Sequence, residues 1–166
     1  CVLSGKGGVG KSSISASLAI ALSKNKSIVC ADCDVDASNL HLILGCKDKT
    51  ESFGIKAKMR ACFDIESCDS CRKCFDTCYF NAIEIVGNRP RLKEFSCEGC
   101  GACMIACPKK AISLVEVENA KLSYCSTRQG FNLVYAQLNV GESGSGKVVS
   151  EVKKKASSFD SEIMLI

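Results

Sequence analysis

Tryptophan is absent from the 166 residues, histidine occurs once, and aromatic residues make up only 6%. The lone His41 has no acid–base partner near it in sequence and reads as a surface or internally satisfied residue. The thiols and lysines that remain spell no protease, hydrolase or zinc-enzyme constellation. Charge bias is missing as well. The formal net charge of +4 is spread along the chain, and Lys153-Lys154-Lys155 reads as a solvated helix face, so nucleic acid is not an expected partner. No stretch reaches the ~18 apolar residues of a membrane span. No signal peptide is visible, because a glycine-rich loop begins within the first few residues.

Cysteine, by contrast, occurs 14 times. Cys68, Cys71, Cys74 and Cys78 spell C-x2-C-x2-C-x3-C, and Cys97, Cys100, Cys103 and Cys107 spell it again, with Pro108 following. Three thiolates at that spacing wrap one cubane, and the fourth faces away from its own loop to cap the other. The spacing assigns Cys68, Cys71, Cys74 and Cys107 to one 4Fe–4S cluster, and Cys97, Cys100, Cys103 and Cys78 to a second. Zinc is the alternative, since paired C-x2-C also suits it, but zinc sites rarely repeat four cysteines at this spacing. Clusters need a reducing interior, so the expected compartment is the cytoplasm.

The segment is an internal repeat with an offset of 29 residues: Cys68 maps to Cys97, Cys78 to Cys107, and Ala82-Ile83 to Ala111-Ile112. Each half reads as a cluster loop, a short helix (72–78 and 101–107) and a strand (82–86 and 111–115). Ile83, Ile85, Ile112 and Leu114 are the expected dry wall around the clusters. Residues 56–117 thus resemble a bacterial-type two-cluster ferredoxin, departing from it at Tyr79, where that family often has proline. The six other cysteines (Cys1, Cys30, Cys33, Cys46, Cys62 and Cys125) read as free, structural small hydrophobes.

A second motif precedes the clusters. Gly5-Lys6-Gly7-Gly8-Val9-Gly10-Lys11-Ser12 matches G-x-x-x-x-G-K-[ST], with Val2-Leu3 ending a strand before it. Residues 12–24 read as a helix with Ile14, Leu18, Ala21 and Leu22 on one face. Backbone N–H groups of such a loop cradle phosphates, Lys11 reaches the β- and γ-phosphates, and Ser12 ligates magnesium. The expected nucleotide-binding set is Gly5, Lys6, Gly7, Gly8, Val9, Gly10, Lys11, Ser12 and Ser13. A strand at 27–31 then leads into Asp32-Cys33-Asp34-Val35-Asp36, which places carboxylates at a strand's C-terminal end, facing the crevice.

With Lys6 in that loop, the chain resembles the MinD- and ParA-type ATPases with a deviant Walker A loop, and specifically the subgroup carrying an inserted ferredoxin domain. The resemblance implies an α/β fold: a three-layer P-loop NTPase parallel sheet, incomplete at the C-terminus, with an inserted α+β two-cluster ferredoxin domain. It implies a discontinuous ATPase domain over 1–55 and 118–166, interrupted by 56–117. It also implies ATP or ADP with Mg, and catalytic roles for Lys6 (acting across a homodimer formed through the nucleotide face), Lys11 and Asp34, which orients the attacking water. Residues 141–148 repeat a G-x-x-x-x-G-K pattern, but Val148 replaces the magnesium hydroxyl, so they read as a flexible helix entry.

The chain starts at Cys1 and stops where the family continues into switch II, so it reads as a fragment, expected to bind nucleotide without cluster-coupled hydrolysis. Residues 162–166 are expected to pair in parallel with 1–4, buried by helices on each face. The leading functional expectation is nucleotide-gated electron transfer to a redox protein. A cluster-delivery ATPase acting on apo-proteins and a redox-sensing regulatory ATPase are the alternatives.

Overall fold

The computed structural model describes residues 1–47, 50–143 and 145–166. It divides into two compact units: unit 1 is Cys1–Ile55, Ala120–Val140 and Gly144–Ile166, and unit 2 is Lys56–Asn119 with Gly141–Ser143.

Unit 1 is built on β1 (Ile28–Asp32), every residue of which is buried. A strand of Ile-Val-Cys-Ala with no polar alternation must be covered on both faces, as strands of parallel sheets are. β6 (Asn132–Leu138) and β7 (Ile163–Leu165) flank it, both parallel to it. β5 (Ile112–Ser126) lies beyond β6 and β2 (Glu51–Phe63) beyond β5, in the order β2-β5-β6-β1-β7. The sheet is therefore mixed rather than parallel throughout, because β5 runs antiparallel to β6. The connection between these two strands, residues 127–131, is too short for the crossover that a parallel pair requires.

α1 (Lys11–Leu22) packs through Ala16 and Ala19, which join Ile28, Cys30, Leu133 and Tyr135 in one core. Ile14 and Leu18, expected on the buried face, are 59% and 39% exposed, and Ala21 is exposed too. Two alanines one turn apart let the helix backbone approach the sheet closely, which turns the bulkier residues outward. α2 (Leu40–Leu44) buries Leu40 and Leu44 in the same core. α5 (Ser145–Ala156) packs on β6 and β1, with Val148, Val152 and Ala156 fully buried at i, i+4 and i+8. Its lysine run is not wholly solvated: Lys155 Nζ lies 4.1 Å from the Tyr124 ring centroid.

Two further expectations are corrected. Residues 1–4 form no strand, and β7 takes its parallel ladder from β1 instead. One bond, from Val2 N–H to the Ile166 carbonyl at 2.7 Å, keeps the two segments adjacent. Val2 packs on the core but Leu3 is 86% exposed, too little apolar contact to order an edge strand. Cys46 and Cys125 are not free thiols; they form a disulfide across 79 residues of sequence. The Cα atoms of Cys46 and Cys125 lie 5.8 Å apart, within disulfide range, and an antiparallel bridge joins Cys46 to nearby Thr127. Cys1 and Cys62 are exposed rather than packed.

In unit 2, α3 (Lys73–Thr77) and α4 (Ala102–Ala106) occupy equivalent places in the repeat, and β3 (Ile83–Val86) pairs with β4 (Arg89–Leu92) in a hairpin. The offset of 29 reaches the backbone. Left-handed φ values recur in pairs: Ser70 60° with Gly99 67°, Arg72 65° with Gly101 79°, and Asn81 50° with Lys110 52°. Ile83 and Ile112 are buried with Ala61, Cys74 and Cys103 in this unit's own core. Residues Glu142 and Ser143, within the expected helix entry, lie in a polar cluster of this unit, whereas Gly144 falls outside the described residues. Among the described residues, no helix is long and apolar enough to cross a membrane.

If Ala19 sets the helix–sheet distance, Ala19→Leu should destabilise the protein by about 1–3 kcal/mol through overpacking. Ile14→Ser, on the outward face, should change stability by less than about 0.5 kcal/mol. Urea unfolding of both variants measures the contrast, and a larger loss from Ile14→Ser would reverse the assignment of faces.

Candidate functional site

Two kinds of site emerge, one in each unit. In unit 1, the C-terminal end of β1 and the start of α1 open into a cavity of about 280 Å³ lined by Lys11, Ser12, Ser15, Asp32, Cys33 and Asp34, with residues 1–4 and 165–166. Gly10, at φ 87°, turns the loop into the helix, a conformation that an L side chain resists. Lys11 Nζ lies 3.4 Å from Asp34 Oδ2, and both side chains are about one-third exposed. Lys11, Ser12 and Asp34 are thus brought together. Lys6, the residues Gly5, Gly7, Gly8, Val9 and Gly10, and Ser13 are exposed and do not line the cavity.

Asp32, expected only as one of several carboxylates at the strand end, has a structural task of its own. It is 5% exposed, and its carboxylate accepts four hydrogen bonds. Oδ1 accepts from Asp34 N–H at 3.1 Å; Oδ2 accepts from Ser38 Oγ at 2.9 Å and from the N–H groups of Asn39 and Leu40 at 3.1 Å. The last two are orphan donors at the start of α2, so Asp32 caps that helix from a distance. It thereby fixes the loop carrying Asp34. The available signal was Asp32 itself, a charged residue continuing an otherwise apolar strand. Burial and the adjacent Asp32 push the Cys30 thiol up to about 12. Burial also raises Cys33, although Lys153 and Lys11 oppose it.

Unit 2 carries two cysteine-lined cavities. One is lined by Cys68, Cys71, Cys74 and Cys107, with Phe63, Ile85 and Ile112 among its apolar walls. The other is lined by Cys97, Cys100, Cys103 and Cys78, with Ala61, Ile83 and Leu114. Each therefore takes three thiols from one run and the last from the other. Among the described residues, no three His, Cys, Asp or Glu side chains meet closely enough to hold one ion; the thiols surround their cavities instead. Backbone N–H groups aim at sulfur in repeat-related places, Ala82 at Cys78 Sγ (3.3 Å) and Ala111 at Cys107 Sγ (3.4 Å). Burial raises the Cys74 thiol, with Cys68 and Cys71 adding to it, and raises Cys103 likewise beside Cys97 and Cys100. Metal binding here must displace those protons.

The family model for the CobQ/CobB/MinD/ParA nucleotide binding domain matches residues 1–165. An uncharacterized protein of Methanocaldococcus jannaschii is 42% identical over 99% of this chain and 57% of its own length. A second uncharacterized protein of that organism is 30% identical over 99% of the chain and 58% of its length. The chain thus spans a little under three-fifths of the length of these relatives. A component of the ion-translocating oxidoreductase complex of Methanosarcina acetivorans is 29% identical over 48% of the chain and 27% of its own length.

Asp32→Asn should cost about 1–3 kcal/mol, because an amide nitrogen then faces a backbone or hydroxyl donor. Amide exchange at Asn39 and Leu40 should accelerate with it. Asp34→Asn loses only an ion pair about one-third exposed and should cost under about 1 kcal/mol. Exchange rates unchanged in Asp32→Asn would show that another group holds the loop.

Proposed function

The chain belongs to the CobQ/CobB/MinD/ParA nucleotide-binding family, and from that premise we propose that it is part of an ATP-dependent iron–sulfur protein: unit 1 binds ATP or ADP with magnesium, and unit 2 is an inserted ferredoxin-type domain holding two 4Fe–4S clusters that carry electrons under the control of the nucleotide. The observation that carries the second half is the composition of the two cavities, each combining three thiols of one C-x2-C-x2-C-x3-C run with the fourth of the other. A mononuclear zinc site needs four sulfurs about 2.3 Å from one point. A cubane presents one iron to each thiolate, which suits sulfurs placed around a cavity wall. The amide donors at Cys78 and Cys107 stabilise thiolate charge, and the isoleucine walls exclude water. When bound, such clusters supply one-electron transfer.

For the nucleotide, Lys11 and Ser12 line the cavity and would meet the phosphates and magnesium, and Asp32 holds the loop that brings Asp34 to the same cavity. With phosphate present, Lys11 has a stronger partner than Asp34, which frees that carboxylate for the water or the metal. Lys6 is exposed, as a residue acting on a partner subunit's nucleotide must be. Electron transfer is favoured over cluster delivery because Cys74 and Cys103 are buried, and release requires both runs to open together. A redox protein is the corresponding partner.

Anaerobic reconstitution should load about eight irons and eight sulfides. Cys78→Ala should damage the centre shared with Cys97, not the one nearest in sequence; spectroscopic loss of the Cys68 centre instead overturns the crossed assignment. Lys11→Ala should weaken nucleotide binding about tenfold to a hundredfold, given 1.5–3 kcal/mol for charge-assisted bonds. Lys6→Ala should leave binding intact and lower turnover in the dimeric, longer protein. Equal loss of binding in both removes the case for Lys6 acting on a partner.

A further inference from the structure

The two cysteine loops are repeats in backbone but not in surroundings. Asp69 and Glu98 occupy the same place, one residue after the first cysteine of each run. Asp69 is exposed, and its carboxylate accepts from the N–H of Cys71, within its own loop, at 3.2 Å. Glu98, although also exposed, meets a polar cluster as well. Ser143 Oγ donates to it at 3.0 and 3.1 Å, and Lys58 Nζ lies 3.5 Å away.

Lys58 is unusual in itself, a lysine only 6% exposed on β2. Its ammonium donates to Ser143 Oγ at 2.7 Å and lies 3.8 Å from Oε2 of Glu142, whose side chain is 5% exposed. Glu142 Oε2 makes no hydrogen bond, while Oε1 is held by Arg60. Gly99 completes the contact: a Cβ there, at φ +67°, would come within 2.4 Å of the Met59 carbonyl oxygen. The loop therefore lies directly against residues 58–60 of β2, with a desolvated cation beside it. Burying the charges of Lys58 and Glu142 here is costly, and an apolar replacement of similar volume often serves stability as well or better. Stability alone is thus a weak reason for the cluster.

We propose that Lys58, Glu98 and Glu142 form a charge clamp that tunes the reduction potential of the centre held by Cys97, Cys100, Cys103 and Cys78, independently of its repeat-related twin. This rests on the two-cluster reading above. One-electron reduction adds a negative charge to the centre. A nearby buried cation favours that form and a buried carboxylate opposes it, through a medium that screens poorly. Asp69 in the twin loop is exposed like Glu98, but it bonds within its own loop, whereas Glu98 pairs with the buried Lys58. Lys58 is a positioning and tuning residue and need not touch the cluster.

The test is a potentiometric titration of the full chain, loaded anaerobically with iron and sulfide and equilibrated with an electrode through mediators. Electron paramagnetic resonance follows each centre, and a Cys100→Ser companion identifies the second centre's signal. Lys58→Met should lower the second midpoint and Glu98→Gln should raise it, changing the reduced-to-oxidised ratio several-fold in opposite senses. Neither should move the first midpoint, and Asp69→Asn should leave the second unmoved. Should Lys58→Met fail to assemble, Lys58→Arg must keep the wild-type midpoint while Glu98→Gln still raises it. Midpoints unmoved with about eight irons bound, shifts of the same sign, or both centres moving together overturn the clamp. Wild-type protein that takes up no iron overturns the cluster reading itself.

Discussion

Neither half of unit 2 completes a cavity from its own run. Cys107 faces the three thiols of the first run and Cys78 those of the second. This exchange constrains everything nearby. The chain must turn sharply at each loop, which is why left-handed φ values recur at Ser70 and Gly99 and again at Arg72 and Gly101. α3 and α4 must end where Cys78 and Cys107 leave the helical conformation, at ψ 98° and 110°. Ile83 and Ile112, just past those cysteines, fall together into the core between the halves. One exchanged pair of thiols sets the register of the whole repeat.

Unit 1 has a counterpart on a smaller scale. Asp32 sits at the end of a fully buried strand and is charged, so it must find donors, and it draws Ser38, Asn39, Leu40 and Asp34 around itself. The crevice at the end of a parallel strand is where such sheets hold ligands. A carboxylate that organises the loop, beside one that faces Lys11, gives the two aspartates of the D-x-D segment different tasks. The outer one is free to change partner because the inner one is not.

Some elements were legible because their signals are local. The apolar run of β1, the glycine loop running into α1, and the paired short helices depend on neighbours a few residues away. Others were not. β2 opens with polar and charged residues and shows little alternation, so nothing in its composition announces a 13-residue strand. β5 was expected to stop near Val115, yet it continues to Ser126 because β6 offers it a ladder from Ala120 onward. α1 carries almost no amphipathic asymmetry, and the larger residues misled; alanine at close approach outweighed isoleucine. Within the sites, Lys11 and Asp34 stand 23 residues apart and meet only through the fold. The spacing of the cysteines says which share a loop, but not that Lys58, ten residues before the first run, lies beside Glu98 in the second.

Sequence by itself determined the chemistry on offer: eight cysteines in two runs, a phosphate-loop pattern and a carboxylate-rich strand end. These are properties of residue type and short-range spacing, where backbone geometry leaves few choices. Tertiary structure alone decided which groups are desolvated together. Only folding could pair Cys46 with Cys125, turn Ile14 outward, bury Lys58 against two carboxylates, and give Asp32 rather than Asp34 the fixed place. The reason is physical: burial and long-range pairing depend on the positions of chain segments far apart in sequence, and the strength of a charge depends on how much water those segments exclude.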